Sequence, residues 1–108
     1  SYVPDTAFIR NERMPDDLSK AFDGAPDLAI EVVPPGNDAG EMMRKVRDYL
    51  AHGAEEVWLL YPKLKELHRY RREAPETVRV YSGDDEIDAA PLFPGLTLVT
   101  SKLFALRK

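Results

Sequence analysis

Two acidic residues lie inside stretches of the chain whose other residues are typical of β-strands. Asp5 belongs to residues 3–9, and Glu31 belongs to residues 26–33. An ionised carboxylate inside an apolar strand costs several kcal/mol unless a partner charge, hydrogen bonds or a metal ion compensates it. Clustered carboxylates are natural ligands of a hard divalent cation such as Mg²⁺. Asp5 and Glu31 are therefore the first candidates for chemistry.

Strand geometry limits which carboxylates can share one ion. Asp27 and Glu31 are four positions apart, and a rise of about 3.3 Å per residue separates them by roughly 13 Å, too far for one metal ion. Antiparallel pairing of the two stretches would place Asp5 beside Glu31, whereas parallel pairing would place Asp5 beside Asp27. The connection over residues 10–25 is long enough for either. We expect antiparallel pairing, because it gives Glu31 a second carboxylate with which to share a cation.

Each acidic residue also has a purely structural explanation. Asp5 and Asp27 both follow a proline and could be solvated residues at the start of a strand. Glu31 could be paired with an arginine of the following helix, Arg44 or Arg47, instead of a metal ion. The residues alone leave these alternatives open.

Two helices are expected around the second strand. Pro15 at a helix start predicts a short connecting helix over residues 15–22. The second strand should end at residues 34–36, because two prolines cannot donate to a sheet. Asn37 or Asp38 then caps a longer helix that ends near Gly53. Its apolar residues recur at helical spacing: Met42, Val46, Tyr49 and Leu50.

The second half of the chain predicts strands. Residues 57–61 are continuously apolar, which is typical of a central strand covered on both faces. Residues 66–71 and 77–81 alternate polar with apolar, which predicts half-exposed antiparallel strands. Residues 96–99 and 101–106 predict a short strand and a short helix. The order of these elements predicts an α/β or α+β fold with a mixed sheet.

Composition excludes several classes of protein. A chain of 108 residues forms one domain, and without cysteine it has no disulfides, thiolate zinc sites or cysteine nucleophiles. The absence of cysteine, of a long apolar run and of a basic leader predicts a cytoplasmic protein with no membrane contact. The net charge of -4 indicates that any contact with nucleic acid is local. The local basic group is Lys63, Lys65, Arg69, Arg71, Arg72 and Arg79.

A set of segments occurs along the chain in a particular order. They are Pro4-Asp5, residues 27–32, a lysine in the following helix, residues 57–62, residues 67–71 and residues 92–96. In this order they resemble the Uma family of restriction-endonuclease-like proteins, a bacterial branch of the PD-(D/E)XK nuclease superfamily. The similarity covers nearly the whole chain.

The resemblance implies a restriction-endonuclease-like α/β fold, with a mixed β-sheet flanked by helices, and Mg²⁺-dependent hydrolysis of DNA, with Mn²⁺ as an alternative ion. Asp5 matches the first aspartate of the family motif and Glu31 its second acidic residue, so both would hold the metal ion. The lysine expected two residues after Glu31 is Val33 here, and Lys45 in the next helix is the matching residue. Lys45 would orient the attacking water. The resemblance also implies an upstream segment, so we expect residues 1–108 to be one domain that lacks it.

Two other classes of function compete with the nuclease. The chain could be a catalytically inactive interaction module that keeps the nuclease fold, or a homodimeric scaffold built through its exposed strands. Lys45 has its own structural alternative, because it lies four residues after Glu41 and an ion pair on the helix surface would explain it. The direction in which Lys45 points therefore separates the two interpretations.

Overall fold

A computed structural model describes the backbone of residues 6–8 and 27–106, with side chains described for residues 27–104. The strands are β1 (Thr6–Phe8), β2 (Leu28–Val32), β3 (Glu56–Tyr61), β4 (Glu66–Arg71), β5 (Ala74–Ser82), β6 (Glu86–Asp88) and β7 (Thr97–Val99). The helices are α1 (Ala39–Ala51) and α2 (Thr100–Leu106). Asp5 and the helix predicted over residues 15–22 lie outside the described residues. None of the helices in the described part of the chain is long and apolar enough to cross a membrane.

The main sheet is mixed, as the sequence predicted. Its five strands follow the order β1-β2-β3-β4-β5. Strands β2 and β3 are parallel, and the other neighbouring pairs are antiparallel. Parallel neighbours need a crossover connection, which α1 supplies between them. A second sheet contains β6 and β7, of which the sequence predicted only β7.

The pairing of β1 with β2 bears directly on the candidate carboxylates. The two strands are antiparallel, with Thr6 opposite Ile30 and Phe8 opposite Leu28. This confirms the predicted direction of pairing. The position of Asp5 itself is not among the described residues, so its proximity to Glu31 stays a prediction.

Helix α1 has the ends that the sequence indicated. At its N-terminus the Asp38 carboxylate accepts a hydrogen bond from the Gly40 amide at 2.7 Å. At its C-terminus the chain reverses at Gly53, whose φ of 109° suits glycine, and the Ala54 amide donates to the Tyr49 carbonyl at 3.0 Å. This is the Schellman pattern. Both ends being fixed, the side chains of α1 are held in one orientation over the sheet.

Strand β3 is buried on both faces, which confirms the prediction from its apolar run. On one face the core joins the sheet to α1 and includes Ala29, Met42, Val46, Leu50, Val57 and Leu59. On the other face the core joins the sheet to the β6–β7 region and includes Leu28, Trp58, Leu60, Leu67, Ile87 and Leu92. Alternating residues of each strand therefore face two separate cores.

Strands β4 and β5 differ from the half-exposed pair that the sequence predicted. In β4 three of the six residues are buried and the other three are partly exposed, and the buried ones include Arg69, whose exposed fraction is 3%. Strand β5 is exposed along nearly all of its length and begins earlier than predicted, so it includes Pro75. It is an edge strand, where proline is tolerated. The alternation correctly predicted strands, but it did not indicate that Arg69 would be buried in an ion pair with Glu56.

Candidate active site

Glu31 is a buried carboxylate in the interior of the main sheet. It lies near the end of β2 with an exposed fraction of 5%, between two residues whose side chains point to the opposite face. It therefore shares the α1 side of the sheet with Ala29 and Val33, which belong to the apolar core there. A carboxylate at such a place requires partners.

Helix α1 supplies those partners. The Lys45 ammonium lies 3.5 Å from Oε1 of Glu31. The Tyr49 hydroxyl donates a hydrogen bond to Oε2 at 2.8 Å. Lys45 and Tyr49 are four residues apart, so they lie on the same face of the helix. One carboxylate is thus held at each oxygen by a different side chain of α1.

The alternatives for Glu31 and Lys45 can now be compared with the geometry. Arg44 and Arg47 are both exposed, and the described cation beside Glu31 is Lys45, so the alternative in which an arginine of α1 pairs with Glu31 is wrong. Lys45 forms its ion pair with Glu31 rather than with Glu41. Lys45 therefore points from the helix toward the sheet, as a site residue would. A catalytic role for it stays a prediction.

Asp27 occupies a separate place. It is buried directly before β2, and its backbone carbonyl accepts hydrogen bonds from the amides of Glu55 and Glu56 at 3.0 and 3.1 Å. It marks the opposite end of β2 from Glu31, as strand geometry predicted. Asp27 thus belongs to the start of the strand and not to the Glu31 cluster.

The Glu31 carboxylate is a ligand of the kind that a hard cation prefers. An ionised carboxylate has about four lone-pair sites, and a single hydrogen bond or ion pair at each oxygen leaves others available. Within the part of the chain that is described, no three histidine, cysteine or acidic side chains lie close enough together to hold a metal ion. A site with three such ligands that included Glu31 would therefore need a residue outside that part.

A second buried ion pair was missed by the sequence analysis. Arg69 and Glu56 are both about 3% exposed, and Nε of Arg69 lies 2.8 Å from Oε1 of Glu56. The guanidinium also donates to Oε2 of Glu56, the Tyr81 hydroxyl, and the carbonyls of Asp88 and Ala90. All five of its N–H groups are therefore used. Through these contacts Arg69, in β4, connects β3 and β5 to residues 88–90 at the end of β6.

The contacts of the Arg69 guanidinium favour its charged form. Burial by itself would lower the pKa of Arg69, but the hydrogen bonds and the charge of Glu56 raise it above its ordinary value. The Trp58 indole donates a further hydrogen bond to Glu56 at 2.9 Å. The signal available in the sequence was an acidic residue at the start of the most apolar strand, the same signal that identified Glu31.

The predicted basic group is divided by the fold. Arg69 is buried in its ion pair with Glu56, so it is not available to contact a nucleic acid. Arg71 lies 3.6 Å from Glu56 and 3.5 Å from Glu73, so its charge is also partly compensated. The exposed members are Lys63, Lys65, Arg72 and Arg79.

Comparison with known proteins agrees with this architecture. A family model, Uma2, described as "Putative restriction endonuclease", matches residues 1–101. The match spans nearly the whole chain, and the chain belongs to this family. No curated protein matches the chain.

A solved structure supports the same fold. The chain is similar to a "putative nuclease belonging to DUF820" from Anabaena variabilis, with a TM-score of 0.63 and 25% sequence identity. The alignment covers 76% of this chain and 45% of that chain, so the chain spans less than half the length of its neighbour. The fold class predicted from the sequence, a mixed sheet flanked by helices in a restriction-endonuclease-like arrangement, is confirmed.

Proposed function

We propose that this chain carries the catalytic centre of a metal-dependent endonuclease that hydrolyses phosphodiester bonds in DNA. The observation that supports it most is the buried Glu31 carboxylate with the Lys45 ammonium 3.5 Å away, in a chain of the Uma2 family. A carboxylate can hold a divalent cation, and an ammonium beside it can offset negative charge on a phosphoryl group. Residues 1–108 as one domain, and its assembly into a homodimer, stay predictions.

Asp5 is proposed as the second ligand. The antiparallel register pairs Thr6 with Ile30, so its continuation by one residue would set Asp5 opposite Glu31. Directly opposed residues of two strands project from the same face of the sheet. Asp5 and Glu31 would then hold Mg²⁺ or Mn²⁺ together with water and a phosphate oxygen. When bound, such an ion lowers the pKa of a coordinated water and offsets charge on the phosphoryl group.

Lys45 is proposed to orient the nucleophile. Its side chain is 23% exposed, so the ammonium can reach both the Glu31 carboxylate and solvent. A cation at this position would hold the attacking water and stabilise negative charge that develops on the phosphate. Glu31 in turn keeps the ammonium directed at the site. The pair therefore fits both a structural and a catalytic requirement.

Plasmid cleavage tests this function. We expect the purified protein to nick supercoiled DNA in the presence of Mg²⁺ or Mn²⁺ and to stop when EDTA is added. Lys45→Ala should lower the rate by roughly 10²-fold or more, since one electrostatic donor of the transition state is lost. Its circular dichroism spectrum should be unchanged.

Arg47→Ala is the matched control, because Arg47 is an exposed cation of the same helix and is not among the described partners of Glu31. It should retain full activity. If neither the wild-type protein nor its Mn²⁺ complex cleaves DNA, and calorimetry detects no metal binding, the catalytic proposal fails and an interaction module is the better account.

A further inference from the structure

The side chain of Tyr49 has two separable parts. Its ring belongs to the apolar core between α1 and the sheet, and the residue is 7% exposed. Its hydroxyl donates to Oε2 of Glu31 at 2.8 Å. Helical spacing in the sequence explains why the ring is buried, because Tyr49 continues the apolar face of α1. Phenylalanine would fill the same core space, so the hydroxyl requires its own explanation.

The hydroxyl fixes a torsion that would otherwise be loose. The terminal torsion of a glutamate side chain has broad preferences, so packing of the stem does not set the plane of the carboxylate. The Lys45 ammonium is a weak constraint on that plane, because it lies at 3.5 Å on a flexible and partly exposed stem. A buried O–H···O⁻ hydrogen bond of 2.8 Å is a stronger and more directional constraint.

The chemical nature of the donor also matters. A phenol hydroxyl donates one hydrogen bond and brings no positive charge. The carboxylate therefore keeps more of its attraction for a cation at its other lone pairs than it would beside a second lysine at this position. Tyr49 and Lys45 thus act on different oxygens of Glu31 and in different ways.

From this geometry we infer that Tyr49 is a positioning residue for the metal site, which holds Oε2 of Glu31 so that its remaining lone pairs face the ion. The inference rests on the proposed function, because it assigns Tyr49 to the same site. Hydrogen-bond partners of metal ligands commonly contribute 10- to 100-fold to metal affinity. Tyr49 would be such a partner.

Calorimetric titration with Mn²⁺ tests the inference without depending on cleavage. Tyr49→Phe keeps the ring and removes the hydroxyl, and we expect its Mn²⁺ affinity to fall by roughly 10- to 100-fold. Tyr70→Phe is the matched control. Tyr70 is also 7% exposed in the same core, but its hydroxyl donates to the sulfur of Met43 at 3.3 Å instead of to a carboxylate. The control should bind Mn²⁺ as the wild type does.

The dependence of cleavage on metal concentration supplies a second readout. In Tyr49→Phe the Mn²⁺ concentration that gives half of the maximal cleavage rate should rise. The rate at saturating Mn²⁺ should stay near that of the wild type, since the ligands themselves remain. In Glu31→Gln saturation should not restore the rate. A purely structural tyrosine would move neither quantity, provided that the variant is folded by circular dichroism.

The outcomes separate the two proposals. If Glu31→Gln loses Mn²⁺ binding but Tyr49→Phe binds as tightly as the wild type, the role of Tyr49 is wrong and the metal site stands. If Tyr49→Phe and Tyr70→Phe weaken binding equally, or Tyr49→Phe does not fold, the effect is one of packing and the role of Tyr49 is again wrong. If Glu31→Gln binds Mn²⁺ as the wild type does, the metal site itself is wrong.

Discussion

Replacement of Glu31 by glutamine is expected to abolish metal-dependent cleavage while leaving the protein folded. The amide keeps the size of the side chain and can still accept the hydrogen bond from Tyr49, but it removes the charge that would bind a cation. We expect the rate of plasmid nicking to fall by roughly 10³-fold. The ion pair with Lys45 is also lost, but Lys45 is partly exposed and can be solvated, so the free energy of unfolding should fall by only about 1 kcal/mol.

Glu41→Gln provides the comparison for this variant. Glu41 lies in the first turn of the same helix and is exposed, and the described ion pair of Lys45 is with Glu31 instead. It should cleave and unfold as the wild type does, apart from a few tenths of a kcal/mol from the helix dipole. Full activity in Glu31→Gln would remove Glu31 from the catalytic account.

The largest effect on stability is expected at Arg69, on the opposite face of the sheet from Glu31. Arg69→Met keeps much of the apolar volume, but it leaves the buried Glu56 carboxylate with the Trp58 indole as its hydrogen-bond donor and the partly exposed Arg71, at 3.6 Å, as its cation. Loss of one partner of a buried ion pair costs about 3–5 kcal/mol. Urea unfolding should show that decrease in the free energy of unfolding.

Two further variants test the cause of that loss. Arg79 lies directly opposite Arg69 on β5 but is exposed, so Arg79→Met should change stability by only about 0.5 kcal/mol. Adding Glu56→Gln to Arg69→Met removes a buried charge that has lost its main partner, and it should restore part of the lost stability. If Arg69→Met is no less stable than Arg79→Met, the buried ion pair does not fasten the strands as described.

The sequence predicted most of the local structure because local signals carried it. Asp38 and Gly53 marked the ends of α1 through capping and a left-handed turn. The apolar run of residues 57–61 indicated a strand buried on both faces. Strand β6 was not predicted, because it has only three residues, of which Ile87 alone is apolar. Such short strands owe their form to their partner.

The contacts that join distant residues were harder to predict. Glu31 was identified because a charge inside an apolar strand requires a partner. The structural alternative named Arg44 or Arg47 as that partner, whereas the cation observed beside Glu31 is Lys45, which only the family resemblance had indicated. Arg69 was read as exposed, since alternation does not reveal that the register sets it beside Glu56 on the same face. Tyr49 was assigned to the core, which is right for its ring and incomplete for its hydroxyl.

The position of a bound ion tests the central claim most directly. We expect crystals grown with Mn²⁺ to show an anomalous density peak in direct contact with a Glu31 carboxylate oxygen, on the α1 side of the sheet, with Asp5 as a second ligand. The Tyr49 hydroxyl should remain hydrogen-bonded to the other oxygen. A Mn²⁺ peak elsewhere and none at Glu31, or an Asp5 carboxylate on the opposite face of the sheet, would contradict the account.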